Sequence, residues 1–224
     1  MLEPEALQAA LLAAAGEVQA LMNHLGLAAR SAPTAKLVFD SDLRAALRRA
    51  LQFGRTELVS VEASLASKGP LSEPTDVVVA GRTKTFQLAL ELSWHPRGED
   101  HPAFAAGVMW DLVKMAVAQV RGVTEQATIL VGAPSRFWRW LPGYAEDRAG
   151  YELLDPSRDA PATTKAEFLA NQAWDGVFER GMDTELPERL WSGLLEAVEV
   201  RSPWAETELR LMEIKGLGQP KPVR

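Results

Sequence analysis

Residues 84–134 constrain the fold more than any other part of the chain. KTFQLALELSW alternates with period two. Phe86, Leu88, Leu90, Leu92 and Trp94 fall on one face, and Gln87, Ala89, Glu91 and Ser93 on the other, which predicts a strand. AFAAGVMWDLVKMAVAQV (103–120) follows, apolar on nearly every side, with Asp111, Lys114 and Gln119 as its clearly polar side chains. It predicts a helix buried on more than one face. ATILVGAP (127–134) predicts a second strand, closed by Pro134. A strand, a helix and a strand in succession form the crossover of an α/β sheet, because parallel neighbours need a long connection.

The flanking segments extend this plan. Residues 3–30 are rich in Ala and Leu, with Leu11, Leu12, Ala15, Val18 and Met22 at helical spacing, and predict a helix that Ser31, Ala32 and Pro33 end. KLVF (36–39) reads as a short extended piece. FDSDLRAALRRALQF (39–53) predicts a second helix with Ser41 as N-cap and Asp42 in its first turn. TELVSVEAS (56–64) and TDVVVAG (75–81) predict strands. HPRGEDHP (95–102) reads as a turn-rich loop, and the aromatic SRFWRWLPGYAED (135–147) as another. ATTKAEFLANQAWDGVFERGM (162–182) predicts a surface helix capped by Thr163 or Thr164. LLEAVEVRS and TELRLMEIKGL predict two last strands. The expected fold class is α/β, a mixed central sheet with flanking helices. Residues 1–39 form an N-terminal helical addition to an α/β domain over 40–224, one domain overall.

Composition narrows the function classes. With 47% hydrophobic and 24% charged residues the chain lacks the signature of disorder. No apolar run reaches the roughly 20 residues that span a bilayer, and no signal peptide is legible at the N-terminus, so no membrane association is expected. Cysteine is absent, which excludes disulfides, thiolate metal sites and cysteine nucleophiles and is compatible with a reducing, cytoplasmic location. The Ala, Arg, Leu and Trp usage reads as that of a GC-rich bacterial genome. Net charge is −6 and the pI about 5.2, against the basic stripe of a tight, non-specific nucleic-acid binder. Arg44, Arg48 and Arg49 form one small basic cluster, Arg136 and Arg139 another.

Asp76 and Glu91 are the carboxylates of most interest, because neighbouring strands can bring such groups to one shared cation. A strand carboxylate such as Glu91 is costly to bury without a partner; the plain alternative places it at a sheet edge facing solvent. Asp111 and Lys114, spaced i, i+3, form a second pair that can meet on one helix face, as a site or as a self-satisfied ion pair. His95, Glu99, Asp100 and His101 read as a solvated turn, with a divalent-metal loop as the alternative. His24 reads as structural. Trp138, Trp140, Trp174, Trp191 and Trp204 crowd the last third, as core beneath irregular loops or as a stacking or protein-contact surface. Dinucleotide, P-loop and nucleophile-elbow motifs are missing from the sequence.

Over residues 40–134 the chain resembles the PD-(D/E)XK nuclease-like superfamily. PTDVVV matches the element in which an Asp opens a strand, ELSW the acidic-x-Lys triplet of the next, FAAGVMWDLVKMAVA the helix after it and ATILVGAP the following strand. The resemblance implies a restriction-endonuclease-like core and Mg²⁺-dependent (or Mn²⁺-dependent) hydrolysis of DNA or RNA. Asp76, Glu91 and the carbonyl of Leu92 would be the metal ligands, and Glu62 an auxiliary acid that orients water. Ser93 stands where the triplet has Lys. Lys114 then supplies the ammonium from the following helix, with Lys84 a poorer substitute, or the site has decayed into a catalytically inactive module that binds protein partners. A third reading is an oligomeric subunit that uses residues 3–30 as its contact element.

Overall fold

A computed structural model describes residues 2–28, 40–53, 55–67, 70–81, 84–95, 100–155, 162–170, 186–201 and 206–218. The elements run α1 (Pro4–Ala28), α2 (Asp40–Gln52), β1 (Val59–Ser64), β2 (Pro74–Val79), β3 (Phe86–Trp94), α3 (His101–Val120), β4 (Thr124–Pro134), α4 (Ser135–Ala145), β5 (Ala162–Thr164), α5 (Lys165–Ala170), β6 (Arg189–Arg201) and β7 (Glu206–Leu217). The strands form one mixed sheet in the order β1-β2-β3-β4-β7-β6-β5. Among the described residues only β3 and β4 pair in parallel, through the α3 crossover; the other pairs are antiparallel. The protein is an α/β fold with helices on both faces of the sheet.

The alternation read in β3 decides which face is which. Leu88, Leu90 and Leu92 pack beneath α1 and α2 with Val77, Val79 and Leu130. Ala89 joins the opposite cluster around α3, with Val78, Met109, Leu112 and Ile129. Glu91 and Ser93, one pleat from those leucines, therefore face α3. Asp100 caps α3 by accepting the Ala103 amide at 2.7 Å. Beyond its last turn Gly122 takes a positive φ of 66°, which Gly adopts at little cost, and sends the chain into β4. Among the described residues α3 is the helix long and apolar enough to cross a bilayer. It lies instead against the sheet, with Leu112 and Val113 fully covered.

Several expectations are corrected. Residues 4–28 do not project: Leu7, Leu11, Ala14, Val18 and Met22 are buried against α2 and the sheet, and Gln8 reaches the Leu195 carbonyl at 2.7 Å. Much of the apolar face read as a contact element is taken up within the chain while Leu12 stays exposed, and the helical addition shares its core with the domain. Ser41 lies inside α2, which starts one residue earlier. SRFWRWLPGYA is helix α4, because Phe137, Trp138 and Leu141 share one buried face; Pro142 lies within it. Strand β5 was not anticipated, and β6 begins earlier than read. Thr164 closes a capping box with Glu167 over α5. The rest of that expected helix, KLVF, Glu99, Trp174 and Trp204 lie outside the described residues.

Candidate functional site

Three acidic residues share one level of the sheet. The registers Val61↔Val77 and Ala63↔Thr75 place Glu62 of β1 opposite Asp76 of β2. Val77↔Leu90 places Asp76 opposite Glu91 of β3. At this level the sheet is irregular. The β2–β3 ladder ends at Val77 and Leu90, and Asp76 Oδ2 takes the Leu92 amide at 2.7 Å. Glu62 has a left-handed backbone, φ 53°, an uncommon state for a residue with a Cβ, and one that marks functional strain elsewhere. Its effect is visible in the packing: Val61 joins the α1–α2 cluster while Ala63, two residues on, joins the α3 cluster. Regular alternation would put both on one face.

Two helices deliver cations to this row. Lys114 of α3 places Nζ 2.6 Å from Glu91 Oε1 and donates to the Pro74 carbonyl at 3.0 Å. Both side chains are almost wholly buried. Glu91 Oε1 remains a buried acceptor without a directed hydrogen bond. From α2, Arg44 holds Asp76 Oδ1 at 2.6 Å and Glu62 Oε1 at 2.5 Å. Asp111, three residues before Lys114 on α3, accepts the Ser93 hydroxyl proton at 2.6 Å. Of the residues read from sequence, Glu91 and Lys114 therefore meet, and Asp76 stands opposite Glu91 with its carboxylate on Arg44 and the Leu92 amide. Leu92 enters through its amide, and Glu62 through Arg44. Ser93 turns to Asp111. Lys84 is exposed. The expected pairing of Asp111 with Lys114 gives way to two separate contacts.

The charge balance is incomplete. Among the described residues, Glu62, Asp76 and Glu91 are paired with two cations, Arg44 and Lys114, and Asp111 with the Ser93 hydroxyl. Burial pushes the Glu91 carboxyl up, Asp111 adds to the rise, and Lys114 opposes it. Burial also pushes Asp111 up to about 7, against the lowering effect of its Ser93 hydrogen bond, while Asp76 adds to the rise. A divalent ion would relieve this excess of negative charge, so the donor set suits Mg²⁺ or Mn²⁺, which prefer carboxylate and carbonyl oxygen. A grouping of three or more metal-ligating side chains already in place is not found among the described residues.

The Asp111 shift has a consequence for stability. Its folded value lies above its ordinary value of 3.8, so the native state holds the proton more tightly than the unfolded chain. That contribution is full below about pH 4 and is lost as pH rises to about 7, by at most about 1.4 kcal/mol per pH unit. Asp111→Asn keeps an acceptor for Ser93 and removes the titration. In chelator, the variant gains stability over the wild type from pH 4.5 to pH 8 by denaturant unfolding. A difference that stays flat across this range contradicts the assignment.

The histidines form a separate cluster. His95 Nε2 and His101 Nδ1 are 2.9 Å apart, packed among Phe104, Phe137 and Trp140. Burial and the neighbouring His95 lower the His101 pKa. This is an aromatic seam between α3 and α4. His24 is exposed on α1. Trp138 is buried with Arg210 4.0 Å above its ring, and Trp191 lies under Lys215 at 4.6 Å. These rings pair with the chain's own cations.

Beside the acidic row runs a groove of about 570 Å³ between α2 and β1, lined by Ser41, Arg44, Arg48, Arg49, Phe53 and Glu62 among others. Arg44 belongs to both the groove and the row. Sequence reading noted the arginines only as a small cluster and missed that Arg44 would bridge two of the acids. Comparison with models of known families, with curated proteins and with solved structures finds no match for this chain.

Proposed function

We propose that the protein is a nuclease-type phosphodiesterase dependent on Mg²⁺ or Mn²⁺. One observation carries the reading: Glu91 meets the Lys114 ammonium delivered by the next helix, and Asp76 stands opposite Glu91 on the adjacent strand. Order in the chain supports it as well. Asp76 lies near the start of β2, Glu91 near the end of β3, and α3 and β4 follow, as the PD-(D/E)XK resemblance implies. Asp76, Glu91 and the Leu92 carbonyl would hold the ion, which when bound supplies an acidic water and polarises a phosphoryl oxygen. Lys114 stabilises negative charge developing on the phosphoryl group, in a site where burial strengthens its field. Asp111 holds the Ser93 hydroxyl away from Lys114, so that the missing triplet lysine is replaced from the helix. Glu62 and Arg44 set the open side, where Arg44 can hold the scissile phosphate.

A second reading, an inactive nuclease-like module that binds partners, is favoured by a specific feature. Asp76 and Glu91 each already have a cation from the chain. The two readings part in a cleavage assay on labelled single- and double-stranded DNA and RNA with Mg²⁺, Mn²⁺ or chelator. The hydrolytic reading expects metal-dependent cleavage that falls at least about 10³-fold in Glu91→Ala, since both the ion's ligand and the partner of Lys114 are lost. Absence of cleavage leaves the inactive module, and cleavage unchanged in Glu91→Ala rejects the assigned site.

A further inference from the structure

We propose that the α2–β1 groove binds single-stranded nucleic acid and feeds it to the acidic row; its substrate class rests on the phosphodiester reading above. Arg44 and Arg48 are one turn apart on α2, with Arg49 adjacent, so three guanidinium groups border one groove. Arg48 and Arg49 are exposed. Arg49 is tied to Glu17 at 2.5 Å, a solvent-exposed pair worth little, which a phosphate can displace. Arg44 is the innermost, and its Nε is a buried donor without a partner. A strand whose phosphates run along Arg48 and Arg49 thus reaches Arg44 and the carboxylates it holds.

Phe53 selects the single strand. It ends α2 at the groove rim with 89% of its surface exposed, an expensive display for a ring that could be buried. An exposed aromatic beside a run of arginines is the arrangement on which an unpaired base stacks while its phosphate is neutralised. A duplex hides its base faces and offers nothing to such a ring. The net charge of −6 also disfavours a long, stiff polyanion laid across the body, whereas a short strand touches only the basic groove.

The test is fluorescence anisotropy in chelator with a labelled 12-nucleotide oligo-dT, the matching oligo-rU and a 12-base-pair duplex. The wild type binds one or both single strands at least fivefold more tightly than the duplex, and the two arms separate DNA from RNA. Phe53→Ala weakens single-strand binding about 5- to 100-fold, the worth of one stacked base, and leaves duplex binding unchanged. Arg48→Glu with Arg49→Glu weakens it at least tenfold and lowers the salt slope by about 1.4. All three positions are exposed, and far-ultraviolet circular dichroism verifies that the variants fold. No binding, a preference for duplex, or Phe53→Ala binding like wild type overturns the proposal. A failed wild-type cleavage assay with intact groove binding sinks only the hydrolytic reading. Cleavage without groove-dependent binding sinks only the groove.

Discussion

Lys114→Met unfolds in denaturant with a loss of about 3–5 kcal/mol at pH 8, the cost of leaving a buried carboxylate without its counter-charge. Glu91 and Lys114 are both nearly sealed from solvent, with 2.6 Å between their charged atoms. The methionine fills the stem's volume but gives Glu91 Oε1 nothing in return. Because burial and Asp111 already favour the protonated Glu91, the carboxyl can escape the penalty by taking a proton. The difference from wild type therefore shrinks as pH falls. Combining Lys114→Met with Glu91→Leu removes both charges and recovers stability to within about 1–2 kcal/mol of wild type, or exceeds it, since a packed apolar pair often replaces a buried ion pair without loss. A loss below about 1 kcal/mol in the single variant, or a double variant no more stable than the single one, contradicts a coupled buried pair. This pair is what places the amine at the acids, so the result bears on function as well as on folding.

If Asp76 and Glu91 hold a divalent ion as proposed, the metal is expected to stabilise the native protein strongly at pH 8. A ligand present at 100 times its dissociation constant contributes about 2.7 kcal/mol by mass action. For a chain of 224 residues each kcal/mol moves the thermal midpoint by about 2–4 °C, so saturating Mn²⁺ raises it by about 5–11 °C. The carboxylates must be ionised to bind, and burial holds the Glu91 and Asp111 carboxyls protonated further up the pH scale than usual. The metal-induced rise is therefore still growing with pH at pH 8 and falls to less than half of its pH 8 size by pH 5.5. Asp76→Asn removes it. Equal shifts in the wild type and Asp76→Asn would place any bound ion elsewhere.

The sequence disclosed the parts of this account that depend on local periodicity. Alternation in KTFQLALELSW put Glu91 and Ser93 on the face opposite Leu88, Leu90 and Leu92, and the structure keeps that division. The apolar wrap of residues 103–120 gave α3 and its crossover to β4. Helix α4 was hidden because Pro142 and Gly143 punctuate it and its buried face is aromatic. Three-residue β5 carries too short a pattern to read. Long-range geometry was the larger gap. Neither the register that aligns Glu62, Asp76 and Glu91 nor the reach of Arg44 from another element is written in local spacing. Asp111 and Lys114 were read as one pair because i, i+3 residues share a helix face. They part because Ser93 and Glu91, two residues apart on β3, present each with a better partner. Residues 3–30 read as a contact surface because apolar spacing cannot say whether the covering face comes from the same chain.

The central claim is that Asp76 and Glu91 share one divalent cation beside the Lys114 amine, and Mn²⁺ titration followed by electron paramagnetic resonance tests it most directly. The account predicts one site per chain at pH 8 in the wild type. Affinity falls at least 30-fold in Asp76→Asn and in Glu91→Gln, and is retained when Arg48 and Arg49 are replaced. No saturable Mn²⁺ site in the wild type, or a site whose affinity survives both carboxylate substitutions, would contradict it.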